Sequence, residues 1–166
     1  SMGFNVIGVD VDESKITSLK TGRVPFYEPD LEDLLTTEIK SGRLTFTANF
    51  ADIADSDIHF ICVGTPQQAN SLAADLRFVD AALEAVAKVA KTGSLIVGKS
   101  TVPVGTAARL REKLKSINPD VELAWNPEFL REGFAVEDTL RPNRLVVGVV
   151  NDKDEAKLKE LYNCLL

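Results

Sequence analysis

Short apolar runs rich in β-branched residues recur along the chain at Val6 to Val9, Leu44 to Phe46, Ile58 to Val63, Leu95 to Val97, Val121 to Trp125 and Leu145 to Val150. Runs of this length and composition predict buried strands. Between them the apolar positions change to three- and four-residue spacing. Leu76, Val79, Leu83, Val86 and Ala90 form one such stripe, which begins after a candidate cap at Asp75 and stops before Gly93. Ala107, Leu110, Leu114 and Ile117 form another, behind Thr106 as a candidate cap and ahead of Pro119. Leu31, Leu34, Leu35 and Ile39 end at Gly42, and Leu158, Leu161, Tyr162 and Leu165 close the chain. These spacings place the apolar side chains on one face of a helix, between residues that start and stop helices.

Strands that alternate with helices of this length predict right-handed crossovers and a mostly parallel sheet covered on both faces. The expected class is α/β, doubly wound and Rossmann-like. No fixed-period repeat, low-complexity segment or Gly/Ser/Pro-rich linker marks a boundary, and 166 residues suit a single domain. Residues that are 45% hydrophobic and 27% charged are typical of a chain that buries a core.

A net charge of −6 lacks the basic footprint of a duplex-binding or membrane-surface protein, so neither nucleic acid nor membrane is expected as a partner. Cys62 and Cys164 are the only cysteines and lack metal-like spacing, which suits a reducing, cytoplasmic setting and predicts no metal site. No apolar run approaches 18 residues and no signal-peptide pattern is seen. Ser1 ahead of Met2 is read as a residue left before a start codon.

Two motifs invite opposite readings. Gly93 to Ser100 matches the phosphate-binding pattern G-x-x-x-x-G-K-[ST], which would make the chain a nucleoside triphosphatase. Leu95-Ile96-Val97 inside the pattern reads as a strand rather than a loop, and Pro103 interrupts the helix that should follow, so the match is set aside. Val6 to Asp10 is instead an apolar strand ending in a carboxylate, with Asp12, Glu13 or Ser14 as helix caps. In dinucleotide folds such an acid accepts hydrogen bonds from the adenosine ribose.

Three polar loops follow strands: Val63-Gly64-Thr65-Pro66, Lys99 to Thr106, and Asn126 to Gly133. Carboxyl ends of strands in open α/β sheets are where ligands bind. Glu128 and Glu132 are four residues apart, so a helical segment would put both carboxylates on one face for acid–base work or for holding sugar hydroxyls. His59, inside a strand, is expected to be structural, Cys62 to be a buried small hydrophobe, and Cys164 to lie in the last helix.

Taken together, Val9 to Ile16, Phe26-Tyr27-Glu28-Pro29-x-Leu31, the three loops, Glu137-Asp138 and Pro142-x-Arg144 resemble the amino-terminal, NAD-binding domain of the UDP-glucose 6-dehydrogenases. The likeness runs over essentially the whole chain, and Asn143 stands where that family more often has Asp. It implies oxidation of the C6 alcohol of a nucleotide sugar to a carboxylate with two NAD, through a covalent cysteine thiohemiacetal and thioester. It assigns Asp10 and Lys15 to the adenosine ribose, and Val63, Thr65 and Thr101 to the nicotinamide side. Thr101 and Glu128 would position or activate the hydrolytic water. Glu128, Phe129, Leu130, Arg131, Glu132 and Gly133 would wrap the UDP-glucose or a related nucleotide sugar.

The family's first strand, glycine-rich loop and first helix would precede Met2, and its carboxy-terminal half, with the nucleophilic cysteine, would follow Leu166. Residues 1–166 are therefore expected to be a truncated NAD-binding domain, with weak or absent NAD affinity and inactive alone. Without that central strand the sheet would be incomplete or rearranged, and a homodimer by strand or element swapping is expected. The alternatives are a GDP-mannose or UDP-N-acetylmannosamine dehydrogenase domain, or a non-catalytic nucleotide-binding or interaction module.

Overall fold

The computed structural model describes residues 3–165; the reading of Ser1 and Met2 falls outside them. In chain order the elements are β1 (Val6–Val9), α1 (Glu13–Lys20), α2 (Leu31–Lys40), β2 (Leu44–Thr47), β3 (Ile58–Ile61), α3 (Arg77–Val89), β4 (Leu95–Gly98), α4 (Thr106–Ile117), β5 (Glu122–Trp125), α5 (Ala135–Leu140) and α6 (Asp152–Tyr162), with 3₁₀ turns at Phe50–Ile53 and Asn163–Leu165. Two compact units share them. Among the described residues one joins 3–53, 129–143 and 164–165, and the other joins 54–128 and 144–163.

The first unit contains a two-stranded parallel sheet in which Val6 pairs with Leu44 and Val9 with Thr47. Such a pairing needs a crossover, which α1 and α2 provide. The pair is close because position 8 is glycine: a Cβ there would stand 2.6 Å from the Phe46 ring. Ile16 of α1, Leu35 of α2 and Ile53 of the 3₁₀ turn are the buried apolar residues here. Asp12, one of the three caps the sequence offered, caps α1 by accepting the Ser14 and Lys15 amides.

The second unit contains a three-stranded parallel sheet in the order β3-β4-β5. Its central strand is Leu95-Ile96-Val97-Gly98, with Ile58 paired to Leu95 on one side and Glu122 on the other. Leu95 and Val97 face a cluster with Ala124 of β5 and Leu158 of α6, flanked by Val147, Val149 and Leu161. Ile96 and Leu123 alternate to the opposite face, where α3 packs beside β3 and α4 beside β5 through fully buried Val79, Leu83, Leu110 and Leu114. Asp80 ties α3 to α4 by accepting from Arg109 and Lys113 at 2.8 Å, and those cations hold its carboxyl down at about 2.

Several expectations need correction. Leu145 to Val150 is not a strand: its backbone pairs with β5 through a single antiparallel bridge between Gly148 and Trp125, and one ladder step does not make a strand. The α3 helix starts at Arg77 with Leu76 at the cap position, and Asp75 accepts from the Arg77 amide and guanidinium instead. The cap position of α4 is Gly105, at φ 88, which places Thr106 inside the helix and buried. Cys62 is exposed rather than buried, and Cys164 lies in the terminal 3₁₀ turn.

Within the described residues β1 pairs only with β2, and β3 only with β4, so each keeps an open edge. His59 of β3 is 5% exposed, and its Nε2 meets no partner among the described residues. Burial, reinforced by Lys91 and opposed by Asp57, pushes its pKa below 6.5. The unfolded chain therefore takes up this proton first, and stability present above pH 6.5 is lost as pH falls toward the folded-state pKa. Urea unfolding of wild type and His59→Leu between about pH 7.5 and 5.5 should show a steeper loss in wild type. Parallel profiles would refute this.

Candidate functional site

Three of the loops singled out from sequence converge at the carboxyl ends of β3, β4 and β5. Lys99 donates its amide to the Ile61 carbonyl, and Asn126 donates its amide to the Gly98 carbonyl, prolonging the ladders beyond the strands. Glu128 then donates to the Lys99 carbonyl at 3.1 Å. The Ser100 hydroxyl donates to the Val63 carbonyl at 2.6 Å, and the Thr65 hydroxyl to the Thr101 carbonyl at 3.0 Å. Val63, Thr65, Thr101 and Glu128 thus stand on one hydrogen-bonded rim, with Thr101 exposed and Glu128 half-buried.

Sequence reading missed the group beneath this rim. Asn126 is 1% exposed, and its Oδ1 accepts from the Lys99 ammonium at 3.0 Å and from the Tyr162 hydroxyl at 2.5 Å. Its Nδ2 donates to the Val146 carbonyl at 2.7 Å. The amide's oxygen and nitrogen both have partners, as burial of so polar a side chain requires. Burial pushes the Lys99 ammonium pKa down, against the pull of Cys62 and the Glu128 carboxylate, and pushes the Tyr162 phenol up to about 12. Asn126 lies in a quoted motif, but its partner Tyr162, read from sequence only as a member of the last apolar stripe, comes from a distant helix and nothing local ties the two.

The triphosphatase pattern is explained by packing. Gly93, at φ 80, makes the turn into β4, and Leu95–Gly98 is strand, so no loop exists to wrap a phosphate. Gly98 is glycine because the Trp125 ring lies across it and a Cβ there would overlap that ring. Trp125 Nε1 donates to the Ser100 carbonyl at 3.1 Å, which fixes the ring in place.

In the other unit, Asp10 follows the last residue of β1. Its Oδ1 accepts from the Asp12 amide at 3.0 Å and its Oδ2 from the Lys15 ammonium at 2.5 Å. Burial raises its pKa, but these two donors outweigh that effect and the net shift is downward, so the carboxylate is ionised at neutral pH. Phe129 to Gly133 also belongs to this unit. The segment is not helical, so the four-residue spacing does not place Glu128 and Glu132 on one helix face. Arg131 offers its amide and guanidinium to Asp138, at 2.7–3.0 Å, and its guanidinium lies 4.8 Å above the Phe134 ring. Phe129, Leu130 and Glu132 are exposed.

The profile of the UDP-glucose/GDP-mannose dehydrogenase family, NAD binding domain, matches residues 1–166. The chain belongs to this family. It is 43% identical to the UDP-glucose 6-dehydrogenase of Rhizobium meliloti (strain 1021), covering 98% of this chain and 38% of that protein. Among solved structures, a GDP-mannose dehydrogenase ternary complex from Pseudomonas aeruginosa superposes with a TM-score of 0.91 at 34% identity, over 97% of this chain and 39% of that one. A UDP-glucose dehydrogenase from Pyrobaculum islandicum gives 0.90 at 38% identity, over 99% and 40%. The chain thus spans roughly two-fifths of these dehydrogenases, corresponding to the family's NAD-binding domain.

Asn126→Ala should lower stability by about 2–4 kcal/mol, because it strands the Lys99 ammonium, the Tyr162 hydroxyl and the Val146 carbonyl together. Tyr162→Phe, which removes a single donor, should cost about 1 kcal/mol. Urea midpoints measure both, and equal small losses would show the cluster to be inert.

Proposed function

We propose that this chain forms the cofactor-binding part of a UDP-glucose 6-dehydrogenase working in the cytosol. The observation that carries the reading is the hydrogen-bonded rim that brings Thr65 to Thr101, and Lys99 to Glu128, at the ends of neighbouring parallel strands. The UDP-glucose 6-dehydrogenase relatives support the choice of sugar. The GDP-mannose dehydrogenase of comparable structural likeness keeps GDP-mannose as the second reading.

The donor set fits NAD at its adenosine end. Asp10 is an ionised, partly exposed carboxylate at a strand's carboxyl end, and each oxygen, having accepted one hydrogen bond, keeps capacity for a ribose hydroxyl. Lys15 holds that carboxylate in place. Bound NAD supplies the hydride acceptor for oxidation of the sugar alcohol. Val63 and Thr65 line the nicotinamide side.

Thr101 and Glu128 orient the water for the hydrolytic step: the hydroxyl fixes the water's direction and the carboxylate takes its proton. Phe129 to Gly133 embraces the nucleotide sugar. Neither Cys62 nor Cys164 takes the nucleophile's part, so this chain binds but does not turn over UDP-glucose by itself.

Addition of NAD to roughly 10 mM should shift the amide resonances from Asp10 to Lys15 in wild type and leave them in place in Asp10→Ala. A wild-type spectrum unmoved at that concentration would defeat the cofactor assignment. UDP-glucose should perturb Phe129 to Gly133 more strongly than GDP-mannose does, and the reverse order would favour the second reading.

The open edges of β1 and β3 offer unpaired amides and carbonyls, which support a homodimer by strand addition or element exchange. Light scattering should report twice the 18.1 kDa chain mass. A single-chain mass up to roughly 100 μM would exclude a dimer of even modest affinity.

A further inference from the structure

Glu28 belongs to the motif Phe26-Tyr27-Glu28-Pro29-x-Leu31, to which neither the cofactor nor the water-activating reading gives a task. Its side chain is nonetheless placed with care. The residue is 7% exposed, Oε2 accepts from the Gly133 amide at 2.9 Å, and Oε1 accepts from the Val136 amide at 3.3 Å. A carboxylate removed from water is unfavourable unless donors replace the water, and here two backbone amides do so. Pro29 restricts the backbone of Glu28 to extended conformations, which limits the directions its side chain can take.

The receiving segment needs this carboxylate. The α5 helix has Phe134 at its cap position with no side-chain acceptor, so its first-turn amides depend on an acceptor from elsewhere. Gly133 sits at φ 78, a conformation that side chains resist, and Phe134 closes the turn by donating to the Arg131 carbonyl at 3.0 Å. Asp138 holds the other end through the Arg131 amide and guanidinium. Two carboxylates from different segments therefore pin the same short turn from its two sides.

We propose that Glu28 is the positioning residue of the nucleotide-sugar loop. By fixing the Gly133 and Val136 amides it presets the backbone from Phe129 to Gly133, so the loop is ordered before the nucleotide sugar arrives and binding does not bear that entropy cost. The proposal rests on the assignment of this loop under Proposed function.

The test uses the 166-residue chain with UDP-glucose as the probe, and reads amide exchange and binding by NMR. Glu28→Ala should speed exchange at Gly133 and Val136 about tenfold, weaken UDP-glucose about tenfold, and leave the α2 amides and the NAD response of Asp10 to Lys15 unchanged. Glu28→Gln retains one carbonyl acceptor and should fall between wild type and Glu28→Ala in both measurements, which decides the matter if Glu28→Ala fails to fold. A merely structural role would loosen α2 together with the loop or leave UDP-glucose affinity untouched. Wild type that binds UDP-glucose while the variants bind it equally well overturns this inference alone. Wild type that binds no UDP-glucose overturns the proposed function and this inference with it.

Discussion

A strand buried on both faces, with parallel neighbours on both edges, is the constraint that organises the second unit. Leu95, Ile96 and Val97 of β4 are wholly buried, and the register to β3 and β5 decides where each following loop emerges. A slip of one residue would exchange the faces of Ile96 and its neighbours, moving Leu95 and Val97 away from Leu158. It would also move Gly98 from under the Trp125 ring, where no other residue fits. The position of Lys99, Thr101 and Glu128 is thus a consequence of hydrophobic packing one turn of chain earlier.

Polar groups then convert this rigid platform into a shaped rim. Asn126 is enclosed, and the ammonium, phenol and carbonyl that bond its oxygen and nitrogen come from three different parts of the unit. Low local dielectric makes such a cluster rigid while complete and costly once broken. The first unit uses the same device differently. Its apolar core is small, with Ile16, Leu35 and Ile53 as the buried members, and Glu28 and Asp138 hold the 129–136 segment through amides rather than through side-chain packing.

The elements that were legible share one property: a strong local signal. The strands at Val6, Leu44, Ile58, Leu95 and Val121, and the helices striped at Leu31, Leu76 and Ala107, appear within a residue or two of expectation, because burial of one face dictates periodicity, whereas the last helix starts at Asp152, ahead of its Leu158 stripe, and ends at Tyr162. Leu145 to Val150 has the same local signal and is not a strand, since strandedness depends on a partner and β5 offers it one bridge. The caps at Asp75 and Thr106 were each misplaced by one residue: Asp75 accepts from Arg77 with Leu76 at the cap position, and Gly105 takes the left-handed turn ahead of Thr106. Glu128 and Glu132 had helical spacing, but no helix forms between them, and the chain turns at Gly133 before α5 begins.

By itself the sequence determined the α/β class, the alternation of elements, the loops that carry the polar motifs, and the family whose motifs those are. Each of these depends on residues close together in the chain. Only the tertiary structure decided that β1 pairs with β2 while β3, β4 and β5 form a separate sheet, that Tyr162 completes the Asn126 cluster, and that Glu28 meets the Gly133 amide 105 residues away. The reason is physical: a strand edge, a buried amide and a carboxylate each demand a partner, but nothing local names which distant group will supply it.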